Sequence, residues 1–138
     1  MSDATRSHLW PTNATRRLSN RLDDLAMVER ASGLISELGV ELDRRLQDEN
    51  RPAYRMRMLR ETTNRITRIA NDAVQAFSRA NRTVRAELDR EDGDVERAES
   101  MRIRLETSRR EVLAVLAAAS ERYETKTIVQ DGPQEASR

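Results

Sequence analysis

The sequence predicts an all-α protein, and three observations predict it. Glycine and proline are scarce, at 4 and 3 residues, so little interrupts a helix. Apolar residues recur at intervals of three and four in three separate runs. Short clusters of turn-forming residues, around Pro52 and Gly93, divide those runs. With 36% charged and only 3% aromatic residues, the composition argues against a thick core, and slender helices fit better than a sheet. The expected architecture is an elongated antiparallel three-helix bundle with short extended N- and C-terminal arms. Residues 1–14 form the first arm, 15–124 one bundle domain with helices at 15–48, 52–90 and 94–124, and 125–138 the tail. The alternative is a coiled-coil-like hairpin in which the break at Gly93 does not reverse the chain and the heptads are shared between subunits.

The first run extends from Arg16 to about Gln47. Leu18, Leu22, Leu25, Val28, Ala31, Ile35, Leu38, Leu42 and Leu46 form one stripe, widened by Met27 and Leu34. Thr12 or Asn13 can cap its start by accepting a free backbone N–H. Gly33 and Gly39 weaken its middle by roughly 1 kcal/mol each. They read as surface positions or close helix packing, with a bend opening a binding surface as the sharper alternative.

Pro52, tolerated in a first helical turn, starts the second helix after a cap at Asn50. Leu59, Thr62, Ile66, Ile69, Ala73, Ala76, Ala80, Val84 and Leu88 carry its stripe beside Phe77. The rod is about 55 Å long and requires a packing partner. Gly93 marks the next turn, and Asp94 caps the third helix. Ala98, Met101, Leu105, Ser108, Val112, Val115 and Ala119 continue the three-four repeat, and Leu113 and Leu116 broaden it. A face that broad is expected to touch two neighbours. The helix is expected to end near Tyr123 or Glu124. Thr125 to Val129 reads as strand-like, and the following Asp-Gly-Pro as a stop.

The sequence offers little for catalysis. It holds one histidine and no cysteine, and lacks HExxH, a phosphate-binding glycine loop, an EF-hand loop and CxxC. The acidic turn DREDGD lacks the ligand alternation and terminal Glu of a calcium loop. Glu87 with Glu91, and Glu96 with Glu99, stand in helical register, but no Glu-x-x-His motif accompanies them. They read as solvated acids paired with neighbouring arginines. No enzyme activity, cofactor or metal is expected. No apolar run reaches the length of a membrane span, and no secretory leader is evident.

Arginine supplies nearly all the positive charge, with Lys126 the sole lysine and a formal net charge of +1. The second helix holds most of the basic excess. Arg65, Arg68, Arg79 and Arg82 fall in one angular sector and are the candidate phosphate contacts, tracking a backbone without reading bases. The plain alternative is a solvated face, or one matched to acids on another subunit.

Leu9 and Trp10 precede Pro11 in a leader too short to fold alone. Trp10 either plugs its own bundle end against Leu18 or Leu22, or anchors the arm in another molecule. Ile128 and Val129 offer a second apolar contact on the tail. Leu9, Trp10, Ile128 and Val129 are therefore the candidate partner-binding residues. The expected function is a non-enzymatic structural or adaptor protein in a homo-oligomeric or larger assembly, such as a virion or shell component. The alternatives are a non-specific nucleic-acid-associated protein and a helical secretion or assembly chaperone. The expected partners are copies of the chain and other proteins, with weak nucleic-acid contact and no membrane insertion. The expected location is the cytoplasm, a virion or a similar assembly.

Overall fold

The computed structural model describes residues 12–136, with side chains described through Glu124. Four helices follow one another: α1 (Asn13–Ser19), α2 (Leu22–Asp48), α3 (Pro52–Asp89) and α4 (Val95–Ala136). No strand occurs among the described residues. The all-α expectation with three long helices holds.

The first expected helix is divided in two. Thr12 caps α1, its Oγ1 accepting from the Thr15 N–H at 3.0 Å. Ser19 and Asn20 follow, residue types that favour turns and caps over helix interiors. The Asn20 N–H donates to the Arg16 carbonyl and the Arg21 N–H to the Leu18 carbonyl, each at 3.0 Å. Asp23 and Asp24 then place negative charge in the first turn of α2, where the helix dipole favours it. Leu22, expected in the apolar stripe, is consequently exposed.

Between α2 and α3, Glu49 rather than Asn50 holds the turn. Its Oε1 accepts from both the Arg51 N–H at 3.2 Å and Arg51 Nε at 2.6 Å. Arg55 Nη1 donates back to the Leu46 carbonyl and to the Glu49 carbonyl. A cation thus satisfies acceptors that the end of α2 would leave bare. Asp94 caps α4 as expected, Oδ1 accepting from the Arg97 N–H at 3.1 Å. The α4 backbone continues to Ala136, past the expected end near Tyr123 or Glu124. Residues 125–136 are therefore helical where the sequence predicts an extended tail. Propagating a formed helix costs far less than nucleating one, which offsets weak local propensity.

The chain folds into two compact units. The first combines described residues 12–29 and 73–109, and the second residues 30–72 and 110–136. In the first unit, Leu18, Leu25, Val28, Ala76, Ala80, Val84, Ala98, Met101 and Leu105 form one core, with Phe77 and Leu88 packed against it. Three of these come from the α1–α2 segment, three from α3 and three from α4, so each stripe faces two others. The alanines on α3 let the neighbouring helices approach closely. Arg17 meets Glu87 and Asp24 meets Arg79, so the chain through α1 and α2 runs antiparallel to α3. The turn at 90–94 reverses the chain again. This excludes the arrangement in which Gly93 leaves the chain unreversed. In the second unit Ile35, Leu42, Leu46, Leu59, Ile66, Ala70, Val112 and Tyr123 are buried.

Candidate interaction surfaces

Glu87 is the most consequential polar residue of the first unit. It is only 1% exposed, and its position continues the spacing Ala73, Ala76, Ala80 and Val84 along the buried face of α3. Burial of a carboxylate is costly unless charge and hydrogen bonds compensate. Here Arg17 supplies a paired contact, Nε to Oε2 at 2.7 Å and Nη2 to Oε1 at 2.9 Å. The Asp94 N–H donates to Oε1 at 3.2 Å. Glu87 therefore joins α1, the end of α3 and the start of α4. The Arg17 hydrogen bonds hold its carboxyl below the usual carboxylate range. The Asp94 N–H and the charges of Arg17 and Arg90 act in the same direction, against the opposing effect of burial. The sequence reading placed Glu87 among solvated acids. The signal against that reading was available: a charge on the apolar register.

Beside this clasp lies an open groove of about 340 Å³ lined by Arg17, Asn20, Arg21, Arg82, Ala86 and Arg90, with Thr83 and Glu87 completing it. Arg21 Nε donates to Thr83 Oγ1 at 2.9 Å, and its Nη1 lies 3.7 Å from Asp24. Arg90 Nε pairs with Asp92 at 3.1 Å. Arg82 is exposed and has no ion pair among the described residues.

The four arginines expected to contact phosphate fare differently. Arg79 is engaged with Asp24, Nη2 to Oδ1 at 2.9 Å, and Arg82 lines the groove. Both belong to the first unit. Arg65 and Arg68 are exposed on the α3 segment of the second unit. Arg17 and Arg21 were not singled out from the sequence, because their proximity to Arg82 arises only once the chain has folded back.

In the second unit the informative surface is apolar. From Val112 to Ser120 no residue is charged. Val112 and Tyr123 are buried, but no side chain from Leu113 to Arg122 is. Two open grooves flank this stretch. One, of about 270 Å³, lies between Thr63, Ile66 and Thr67 of α3 and Leu116 and Ser120 of α4. The other, of about 220 Å³, lies between Ile35 and Val40 of α2 and Val115 and Ala118 of α4. Tyr123 borders both and is fixed by its hydroxyl, which donates to the Gly39 carbonyl at 3.0 Å. Burial pushes its phenol pKa up, as does the charge of Asp43. Leu34, Val40 and Leu113 are exposed within the same unit.

Leu9 and Trp10 lie outside the described residues. Ile128 and Val129 fall on the helical backbone of α4, with side chains outside the described set. Among the described residues no helix is long and apolar enough to cross a membrane, and no His, Cys, Asp and Glu group is placed to hold a metal ion. Compared with protein-family models, curated proteins and solved structures, the chain matches none of them.

Proposed function

We propose that the protein is a non-enzymatic structural or adaptor component that associates with copies of itself to form part of a larger assembly. The observation that carries this reading is the uncharged stretch of α4 from Val112 to Ser120. Its apolar side chains between Val112 and Tyr123 are left incompletely covered by their own unit. In a chain with 36% charged residues, about two and a half uncharged helical turns beside two apolar grooves favour contact with another protein surface over contact with water. Small side chains at Ala117, Ala118 and Ala119 permit close approach of another helix. The reading places the chain in the cytoplasm or within a particle built from many copies.

Light scattering over a concentration series tests this. The expected result is a mass rising to a fixed multiple of 15.9 kDa. Leu113→Glu, at an exposed position in the second unit, returns the chain to monomer. Leu22→Glu, exposed in the first unit, leaves the mass unchanged. A constant monomer mass at every concentration overturns the self-association.

A further inference from the structure

We infer that the arginine groove of the first unit is a binding site for phosphate-class oxyanions. It is distinct from the apolar surface of the second unit and independent of self-association. The inference rests on the chemistry of its lining. Arg17, Arg21, Arg82 and Arg90 all border the groove. A guanidinium carries five N–H donors and no acceptor. Arg17 spends two nitrogens on Glu87, and Arg21 spends Nε on Thr83, so each retains donors. Arg82 has spent none on an ion pair.

The side-chain oxygens of Glu87 and Thr83 in the groove are occupied. Glu87 is buried and takes hydrogen bonds from Arg17 and from the Asp94 N–H. Thr83 Oγ1 accepts from Arg21 and donates to the Arg79 carbonyl at 3.3 Å. What remains is a donor-rich recess suited to a ligand that only accepts. Asn20 adds a side-chain amide to the lining, whose NH2 group supplies two further donors. Counting the ion-paired neighbours, Arg17, Arg21, Arg79, Arg82 and Arg90 face Asp24, Glu87 and Asp92, so the local charge stays positive.

Two further features distinguish a site from a diffuse basic face. Arg17 and Arg21 are held by internal hydrogen bonds, so their ordering cost is already met before a ligand arrives. Ala86, the smallest lining residue, leaves the space between the guanidiniums open. Planar guanidiniums suit two-point contact with a phosphate group, which a single surface cation does not provide. The phosphate can belong to a nucleic-acid backbone or to a small phosphorylated molecule.

The test uses the full chain at low ionic strength, titrated calorimetrically with inorganic tripolyphosphate and, separately, with a single-stranded oligonucleotide of mixed sequence. Saturable binding of tripolyphosphate is expected. Arg82→Gln weakens it on the order of tenfold, because one charge-assisted contact is lost. Ala86→Leu, which fills the recess without altering charge, weakens it comparably. Arg65→Gln with Arg68→Gln, on the same helix but in the other unit, leaves it unchanged. An oligonucleotide that binds more tightly and is displaced by tripolyphosphate identifies a nucleic-acid backbone as the source. One that neither binds nor competes identifies a small phosphorylated molecule. The inference is overturned if tripolyphosphate shows no saturable binding. It is equally overturned if Ala86→Leu binds like the parent chain, or if the Arg65 and Arg68 changes cost as much as Arg82→Gln. Circular dichroism confirms that each variant is folded.

Discussion

Gly33 and Gly39 lie six residues apart on α2 but have opposite surroundings. A Cβ at Gly33 would meet nothing within 4 Å, whereas one at Gly39 would lie 2.8 Å from the Tyr123 hydroxyl oxygen. Gly33→Ala is therefore expected to stabilise the protein by about 1 kcal/mol, the helix-propensity difference alone. Gly39→Ala displaces the Tyr123 hydroxyl and leaves its part-buried donor and acceptor unpaired at about 2 kcal/mol, which exceeds the propensity gain and leaves a net cost of about 1 kcal/mol. In a Tyr123→Phe background the same change becomes neutral or stabilising, because the obstructing oxygen is gone. Urea unfolding of the four variants separates these outcomes. The sequence allowed surface or close packing at both glycines but could not distribute the two roles. That distribution depends on Tyr123, 84 residues away along the chain.

Glu87 sets the pH dependence at the same scale. Its carboxyl is held lower in the folded chain than in the unfolded one, whose value is about 4.3. The stability it contributes is complete above the unfolded value and is lost as pH falls through the folded value. Glu87→Gln is expected to cost about 2 kcal/mol at pH 7, by weakening hydrogen bonds to a charged acceptor. It should also reduce the loss of stability between pH 5 and pH 3. Denaturant titrations at pH 7, pH 5 and pH 3 check both. An unchanged acid slope would show that Glu87 is not the responsible group.

At the scale of elements, the three long helices were legible because their stripes repeat over many turns. The cap residues Thr12 and Asp94 and the reversal at Gly93 were legible too, because each rests on local chemistry. The division at Asn20 was not. Leu18, Leu22 and Leu25 keep a helical spacing across it, and that regularity hides a break made by two polar residues. The helical course of residues 125–136 was missed for the opposite reason: local strand propensity was weighed without the helix that feeds into it. Glycine is required at the α3–α4 turn by close approach. A Cβ at Gly93 would lie 2.1 Å from the Glu87 carbonyl oxygen, which is backbone and cannot swing away. Gly93→Ala is expected to cost about 2 kcal/mol and to lower the midpoint of thermal unfolding. A midpoint equal to that of the parent chain would show that the turn relaxes freely.

At the scale of the whole molecule, α2, α3 and α4 each pass through both units, so neither unit corresponds to a single stretch of sequence. A reading organised by consecutive segments, with arm, bundle and tail, could not reveal this, since the division runs across the helices. Shortening the chain from either end consequently trims one unit and leaves every segment of the other. A stop after Arg109 retains every segment of the first unit and removes the α4 part of the second. A start at Arg30 does the converse, retaining every segment of the second unit and removing the α1–α2 part of the first. Any contiguous fragment that holds one whole unit therefore also carries most of the other, because the two pieces of each unit are joined through a piece of its neighbour.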